Sequence, residues 1–291
     1  MIKDFHYLRP NTVGEALGLI SQYKDDCKII CGGQSLLILM RQGLVATDYL
    51  VDIKRVQGLN YINFDTNEGL KMGAATTHRA IEKSALIKDK FKVLADMENN
   101  LASIQVRNWG TIGGNLAHAD AAGDPAPVLM TLGASVKVGS ADDTRIISLD
   151  QFYVGLFETA LKEDEIVLEV QVPVPASRSA AVYEKFNLLQ SDQGIIAVAA
   201  SMTLNGDSTC KEARIALGNA APTTMRARKA EQTLVGGKLD DDLLEAAGVA
   251  ASEEADPISD IHASEDYRRH LVKVLTMRMV KKAWEQAAIS A

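Results

Sequence analysis

The chain is 291 residues long, carries a formal net charge of −7 and is 47% hydrophobic, enough for one large or two modest domains with true cores. An acidic balance without any basic cluster excludes the electrostatic footprint of a nucleic-acid binder. No apolar run reaches the length of a membrane span, and the opening MIKDFHYLRP lacks the apolar stretch of a secretory signal, so a cytoplasmic protein is expected.

The early chain alternates helix and strand. Thr12, followed by Glu15 and by Val13, Leu17 and Ile20 at helical spacing, predicts a capped helix over TVGEALGLISQY. KIICGG reads as a short buried strand running into a glycine turn, with apolar LLILM behind it, and DYLVDI as another strand. Cys27 and Cys31 on such a strand would stand more than about 10 Å apart, too far for a disulfide. With Cys210 they make three cysteines without a paired CxxC pattern, so free thiols are expected and a cluster held by this chain alone is not.

NYINFD and GLKMGAA read as two strands joined by a turn over Thr66, Asn67, Glu68 and Gly69, and residues 77–103 as two helical pieces leading to IQVRNWGTIGGN. ASVKVGS, RIISL and EIVLEVQVPVP are strands, the last stopped by Pro173 and Pro175. VPVPASRSA is the best boundary. Beyond it AVYEKFNLL, IIAVAASMTL and EARIALGNAAP predict an antiparallel sheet, and two helices close the chain. The last of these sets Leu271, Val274, Leu275 and Met279 on one face. The order is α+β, followed by a second α+β unit.

Two glycine pairs interrupt this pattern, in IICGGQSLL and in TIGGNLAHAD. Glycine lets backbone approach a bound group closely, and successive amides aimed one way form a concavity suited to phosphate oxygens. Gln34 and Ser35 add donors to the first loop. In the second, Thr111 adds a hydroxyl, Gly113 and Gly114 exposed backbone, and Asn115 an amide. Two such loops suit a ligand with two phosphates held from both sides. Neither is the GxGxxG or the GxxxxGK[ST] motif, so the nucleotide is held some other way. His118 with Asp120 and Asp124 has no second histidine nearby, so packing under the second loop is expected rather than metal ligation.

CGGQSLL followed about eighty residues later by TIGGNLAHADAAGD resembles the FAD-binding medium subunit of the molybdenum hydroxylases, the xanthine dehydrogenase and carbon monoxide dehydrogenase family. FHYLRPNTVGEAL, VQVPVP, YEKF and IALGNAAPTTMRARKAE extend the resemblance over nearly the whole chain. It implies a vanillyl-alcohol-oxidase (PCMH) type FAD domain over 1–176, in lobes of about 1–56 and 57–176, and a smaller α+β C-terminal domain over 177–291. By position it implies FAD contacts at Ile29, Ile30, Cys31, Gly32, Gly33, Gln34, Ser35 and Leu36, at Thr111, Ile112, Gly113, Gly114 and Asn115, and at Asp124. By spacing it adds Leu101 and Val167. Lys185 matches a lysine near the flavin ring, where a cation stabilises the anionic reduced form.

The resemblance further implies an electron-transfer role without a protein nucleophile or base. A small subunit with two 2Fe–2S clusters would supply electrons, a large molybdopterin-binding subunit would oxidise an aromatic or N-heterocyclic substrate, and the assembly would be a dimer of heterotrimers. The acceptor could be NAD, quinone, ferredoxin or oxygen. The chain departs from the family at Cys31, usually alanine, at HADAAGD for HADPAAD, and over LLQSDQGIIAVA, where many relatives carry a basic run and a Gly-Asp-aromatic segment and where Gln193 is expected to shield the flavin less. A self-contained flavin reductase acting like a UDP-N-acetylmuramate-reducing enzyme is the alternative, though it needs a proton-donating substrate domain. A fold that lost its cofactor is a third reading.

Overall fold

The computed structural model describes residues 3–189 and 191–290; Gln190, within the departing segment LLQSDQG, lies outside it, as do Met1, Ile2 and Ala291. The first part runs β1 (His6–Leu8), α1 (Val13–Tyr23), β2 (Cys27–Ile30), α2 (Leu36–Arg41) and β3 (Tyr49–Asp52). Its strands form a parallel sheet in the order β1-β3-β2. The Thr12 hydroxyl accepts the Glu15 amide and the Glu15 carboxylate accepts the Asn11 amide, so α1 starts where the sequence placed it. Ala16, Leu17 and Ile20 pack with Cys27, Val51 and Ile53 beneath the sheet.

The second part comprises β4 (Ile62–Asp65), β5 (Gly69–Gly73), α3 (His78–Lys83), α4 (Ala85–Lys90), α5 (Lys92–Asn100), α6 (Ile104–Trp109), α7 (Ile112–His118), α8 (Pro125–Thr131), β6 (Ser135–Gly139), β7 (Thr144–Ser148), β8 (Tyr153–Gly155), β9 (Glu158–Thr159) and β10 (Ile166–Val172). Its main sheet is antiparallel in the order β4-β5-β10-β6-β7, and β8 and β9 form a separate hairpin. Residues 77–103 hold three helices rather than two. Ser84 ends α3 in extended backbone and its hydroxyl caps α4 by accepting the Ile87 amide, and Phe91 at φ −135° then separates α4 from α5.

The third part adds β11 (Ser179–Phe186), β12 (Ile196–Leu204), β13 (Cys210–Gly218), β14 (Met225–Arg226), α9 (Arg228–Leu234), α10 (Asp241–Glu254) and α11 (Glu265–Ile289). The sheet is antiparallel in chain order. One face, through Val198, Ala200 and Met202, packs on α11, and the other sends Ala199 and Ala216 into the core around α5 and α8. The buried stripe of α11 runs through Leu271, Val272, Leu275 and Met279, while the expected Val274 is only half-buried. All three cysteines are free, and no helix among the described residues is long and apolar enough to cross a membrane.

Arg268 anchors α11. Its buried guanidinium donates to the Ile195 carbonyl at 2.5 Å and to the Asp260 carboxylate at 2.7 Å. Burial raises the Asp260 carboxyl, but hydrogen bonds from Arg268 and from the His262 and Ala263 amides outweigh it and hold the group down at about 2. A carboxyl depressed in the folded state stabilises above its unfolded value and loses that contribution as pH falls toward the folded one. Asp260→Asn should therefore lower the urea midpoint at neutral pH, and its difference from wild type should shrink progressively below pH 4. A difference that stays constant down to the acid transition contradicts this role.

Candidate cofactor cleft

The first glycine loop leaves β2 at Ile30, passes Gly33 at φ +69° and enters α2. Gln34 folds its side-chain amide back onto the Gly32 carbonyl at 3.2 Å. The backbone N–H groups of Gly32, Gly33, Gln34, Ser35 and Leu36 meet no protein acceptor among the described residues. Five consecutive donors without partners require one from outside, because an unmatched backbone donor is costly once water is excluded.

The second glycine pair behaves differently from the sequence expectation of exposed backbone. Thr111 caps α7, its hydroxyl accepting the Gly114 amide at 3.3 Å, so the pair lies inside the first turn of a helix. The Ile112 amide donates to Thr76 O and the Gly113 amide to Ala74 O, each at 3.0 Å, and the Asn115 amide donates to Thr111 O at 2.9 Å. A Cβ on Gly113 would stand 2.5 Å from the Ala74 Cβ. Close packing of α7 on the end of β5 therefore requires this glycine. Thr111, Gly113, Gly114 and Asn115 border the cleft from this segment.

The two segments touch. A Cβ on Gly32 would fall 2.7 Å from Trp109 O and 2.8 Å from Gly110 Cα, so only glycine fits where the first loop crosses the chain leading into α7. Lys54, past the end of β3, staples the same place by donating to Trp109 O at 2.6 Å, with its ammonium 4.6 Å from the Trp109 ring centre.

Beside this contact opens a cleft of about 440 Å³. Residues 29–36, Leu101, Thr111, Gly113, Gly114, Asn115, Asp124, Val167 and Lys185 all border it. Ile112, the remaining expected position, does not: its side chain is fully buried in the core behind α7. Lys185 on β11 is buried and donates to the Asp124 carboxylate at 2.7 Å, and the Tyr183 hydroxyl donates to the other Asp124 oxygen at 2.5 Å. Burial, then the Asp124 charge, push the Tyr183 hydroxyl far above its ordinary range, so it stays a donor. The Lys185 ammonium is thus not left unpaired. Paired with Asp124, it presents a dipole to the cleft.

Gln193, on the strap between β11 and β12, borders the cleft and donates to Asp120 at 3.1 Å. His118 ends α7, borders the cleft and packs on Phe157 with ring centres 5.3 Å apart. Sequence reading passed over His78. It opens α3, is 2% exposed, borders the cleft, and its Nδ1 faces both oxygens of the fully buried Glu98 at 3.0 and 2.9 Å. Burial raises the Glu98 carboxyl, opposed by the His78 charge. Twenty residues and two helix breaks separate the two partners, so no local spacing announces the pair.

An α+β scaffold that sets a row of free amides and the Lys185–Asp124 pair around one cleft is suited to a phosphate-bearing cofactor. Residues 3–175 match the family described as FAD binding domain in molybdopterin dehydrogenase, and residues 181–283 match the CO dehydrogenase flavoprotein C-terminal domain. The chain belongs to this family of FAD-binding oxidoreductase subunits. It is 34% identical to the 6-hydroxypseudooxynicotine dehydrogenase complex subunit alpha of Paenarthrobacter nicotinovorans, over 97% of this chain and 95% of that one. It is 33% identical to the glyceraldehyde dehydrogenase medium chain of Sulfolobus acidocaldarius, over 96% and 98%. Its structure aligns at a TM-score of 0.94 and 31% identity with a chain of carbon monoxide dehydrogenase from Hydrogenophaga pseudoflava, covering 98% of this chain and 99% of that one.

The residues present fit FAD: the first loop supplies unpaired donors, and the Gly32 crossing leaves no side chain between them and the cleft. Gly32→Ala should part the two segments, destabilising the fold by about 1–3 kcal/mol as overpacking does and weakening FAD retention at least tenfold. Flavin released on gel filtration, alongside a urea melt, measures both. Unchanged retention contradicts the proposed role of this crossing.

Proposed function

We propose that this chain is the medium, FAD-carrying subunit of a molybdenum hydroxylase complex. It takes electrons from the 2Fe–2S clusters of a small subunit and passes them to an external acceptor such as NAD, quinone, ferredoxin or oxygen. A large molybdopterin-binding subunit oxidises the substrate, of aromatic or N-heterocyclic class. The observation that carries this reading is the first-loop amide row set against the Thr111–Asn115 segment in one cleft, in a chain that aligns nearly end to end with relatives named as medium chains. Nicotine 6-hydroxylase from Paenarthrobacter nicotinovorans, whose medium subunit is 35% identical over 95% of this chain, supports the heterocyclic class.

When bound, FAD supplies the capacity to accept an electron pair and release it to a different partner. The first-loop amides would hold its diphosphate, with Thr111 and Asn115 adding side-chain bonds. Leu101 and Val167, both buried against the cleft, would pack on its apolar surfaces. Asp124 keeps Lys185 in place, and Tyr183 keeps Asp124 in place, so the polar wall is rigid before the cofactor arrives. The reading assigns residues 1–176 to cofactor binding and 177–291 to a domain whose strand β11 delivers Lys185 to the cleft.

Purification of the native protein tests this directly. One FAD per copy of this chain is expected, together with two larger and smaller polypeptides carrying molybdenum and iron, and N-heterocycles should bleach the flavin only through the intact complex. A chain that purifies alone and whose flavin is reduced by substrate without partners contradicts the subunit role.

A further inference from the structure

We propose that His78 is a further cofactor-binding residue, whose Nε2 donates to an oxygen of the bound FAD diphosphate and which takes up a proton as the cofactor enters. This rests on the FAD reading and adds to it a residue and a linked protonation.

The backbone puts the ring in the right place. The His78 amide donates to Gly110 O at 3.1 Å, and Thr77 beside it pairs with Thr111 across an isolated bridge. A Cβ on Gly110 would lie 3.6 Å from His78 Nε2, and Gly110 Cα is what a Cβ on Gly32 would strike. The imidazole therefore lies behind the point where the two cofactor segments cross.

Glu98 then fixes the chemistry. Nδ1 stands within hydrogen-bond reach of both Glu98 oxygens, so one hydrogen lies between the ring and the carboxyl group. Nε2 has no protein partner among the described residues, yet it is not among the sealed polar atoms, and the residue borders the cleft. A diphosphate oxygen of the dinucleotide, held at the crossing by the first-loop amides, would be an acceptor for Nε2. A hydrogen on Nε2, added to the one between Nδ1 and Glu98, gives the His78–Glu98 pair two, so occupancy by an acceptor draws one proton in from solvent, with no other bond formed or broken.

The charges around the ring agree. Glu98 on α5 faces it directly, with Asp124 and Arg107 acting on Glu98 beyond it. Arg107 on α6 and Arg79 on α3 itself are tied to Glu82, and Lys88, Asp89 and Lys90 of α4 are exposed. Within the cleft, Asp120, Asp124, Glu165 and Asp192 are carboxylates, and Lys185 is neutralised by Asp124. An anionic diphosphate there favours a hydrogen on Nε2 and hence the extra proton on the His78–Glu98 pair. The competing role, a core histidine that merely anchors Gly110, requires no proton.

Calorimetry of FAD binding to the full-length apoprotein, run near pH 7.5 in two buffers of different ionisation heat, separates the two. Net uptake of up to one proton per FAD is expected in wild type, with affinity rising as pH falls, by at most about tenfold per unit. In His78→Gln the uptake should vanish and FAD affinity at pH 6.5 should drop about tenfold, the two proteins converging toward pH 8.5. FAD that binds wild type without buffer-dependent heat overturns the proposal, whatever the variant's stability. Uptake that persists in His78→Gln and disappears in His118→Gln assigns the proton elsewhere and overturns it too. Failure to bind FAD at all would instead sink the flavin reading.

Discussion

Backbone crosses backbone at Gly32 and Gly110 with no room for a single methyl group, and the cleft is organised around that crossing. It brings residues nearly eighty positions apart to one place, at the junction of the parallel sheet and the antiparallel one. The crossing is held by Lys54 on Trp109, by His78 on Gly110 and by the Thr77–Thr111 bridge. Each is a bond to main chain. Position there is set by hydrogen-bond geometry rather than by side-chain shape, which suits a site that must be rigid before its ligand arrives.

The two glycine pairs look alike as sequence but do different physical work. The first leaves its amides open, and the second closes its amides into α7 and β5. That division was not legible in the residues alone, because a glycine required where backbone crosses backbone and one required by a neighbouring alanine read the same. What was legible is what local rules govern: the Thr12 cap, the strands of the third sheet, and the loop after β2. The split of residues 77–103 into three helices turned on a serine whose capping role competes with continuation. The single misplaced position of α11, Val274 for Val272, is a phase error of half a turn.

The charge pattern of the cleft was the least legible feature. Lys185 and Tyr183 on one strand meet Asp124 at a helix start about sixty residues away, and His78 and Glu98 come from helices with α4 between them. Their pairing turns apparent lone charges into dipoles. A cleft that holds a dianionic group with main-chain donors and balanced pairs gains little from unscreened cations, so its affinity should depend on fit more than on salt.

Hydrogen–deuterium exchange by mass spectrometry, on the full chain with and without FAD, addresses the asymmetry of the two segments most directly. Peptides spanning residues 31–36 should exchange fast in the apoprotein and slow strongly on cofactor addition, while amides of 112–115, already bonded, should change little. Equal protection in both segments, or none in the first, contradicts the account.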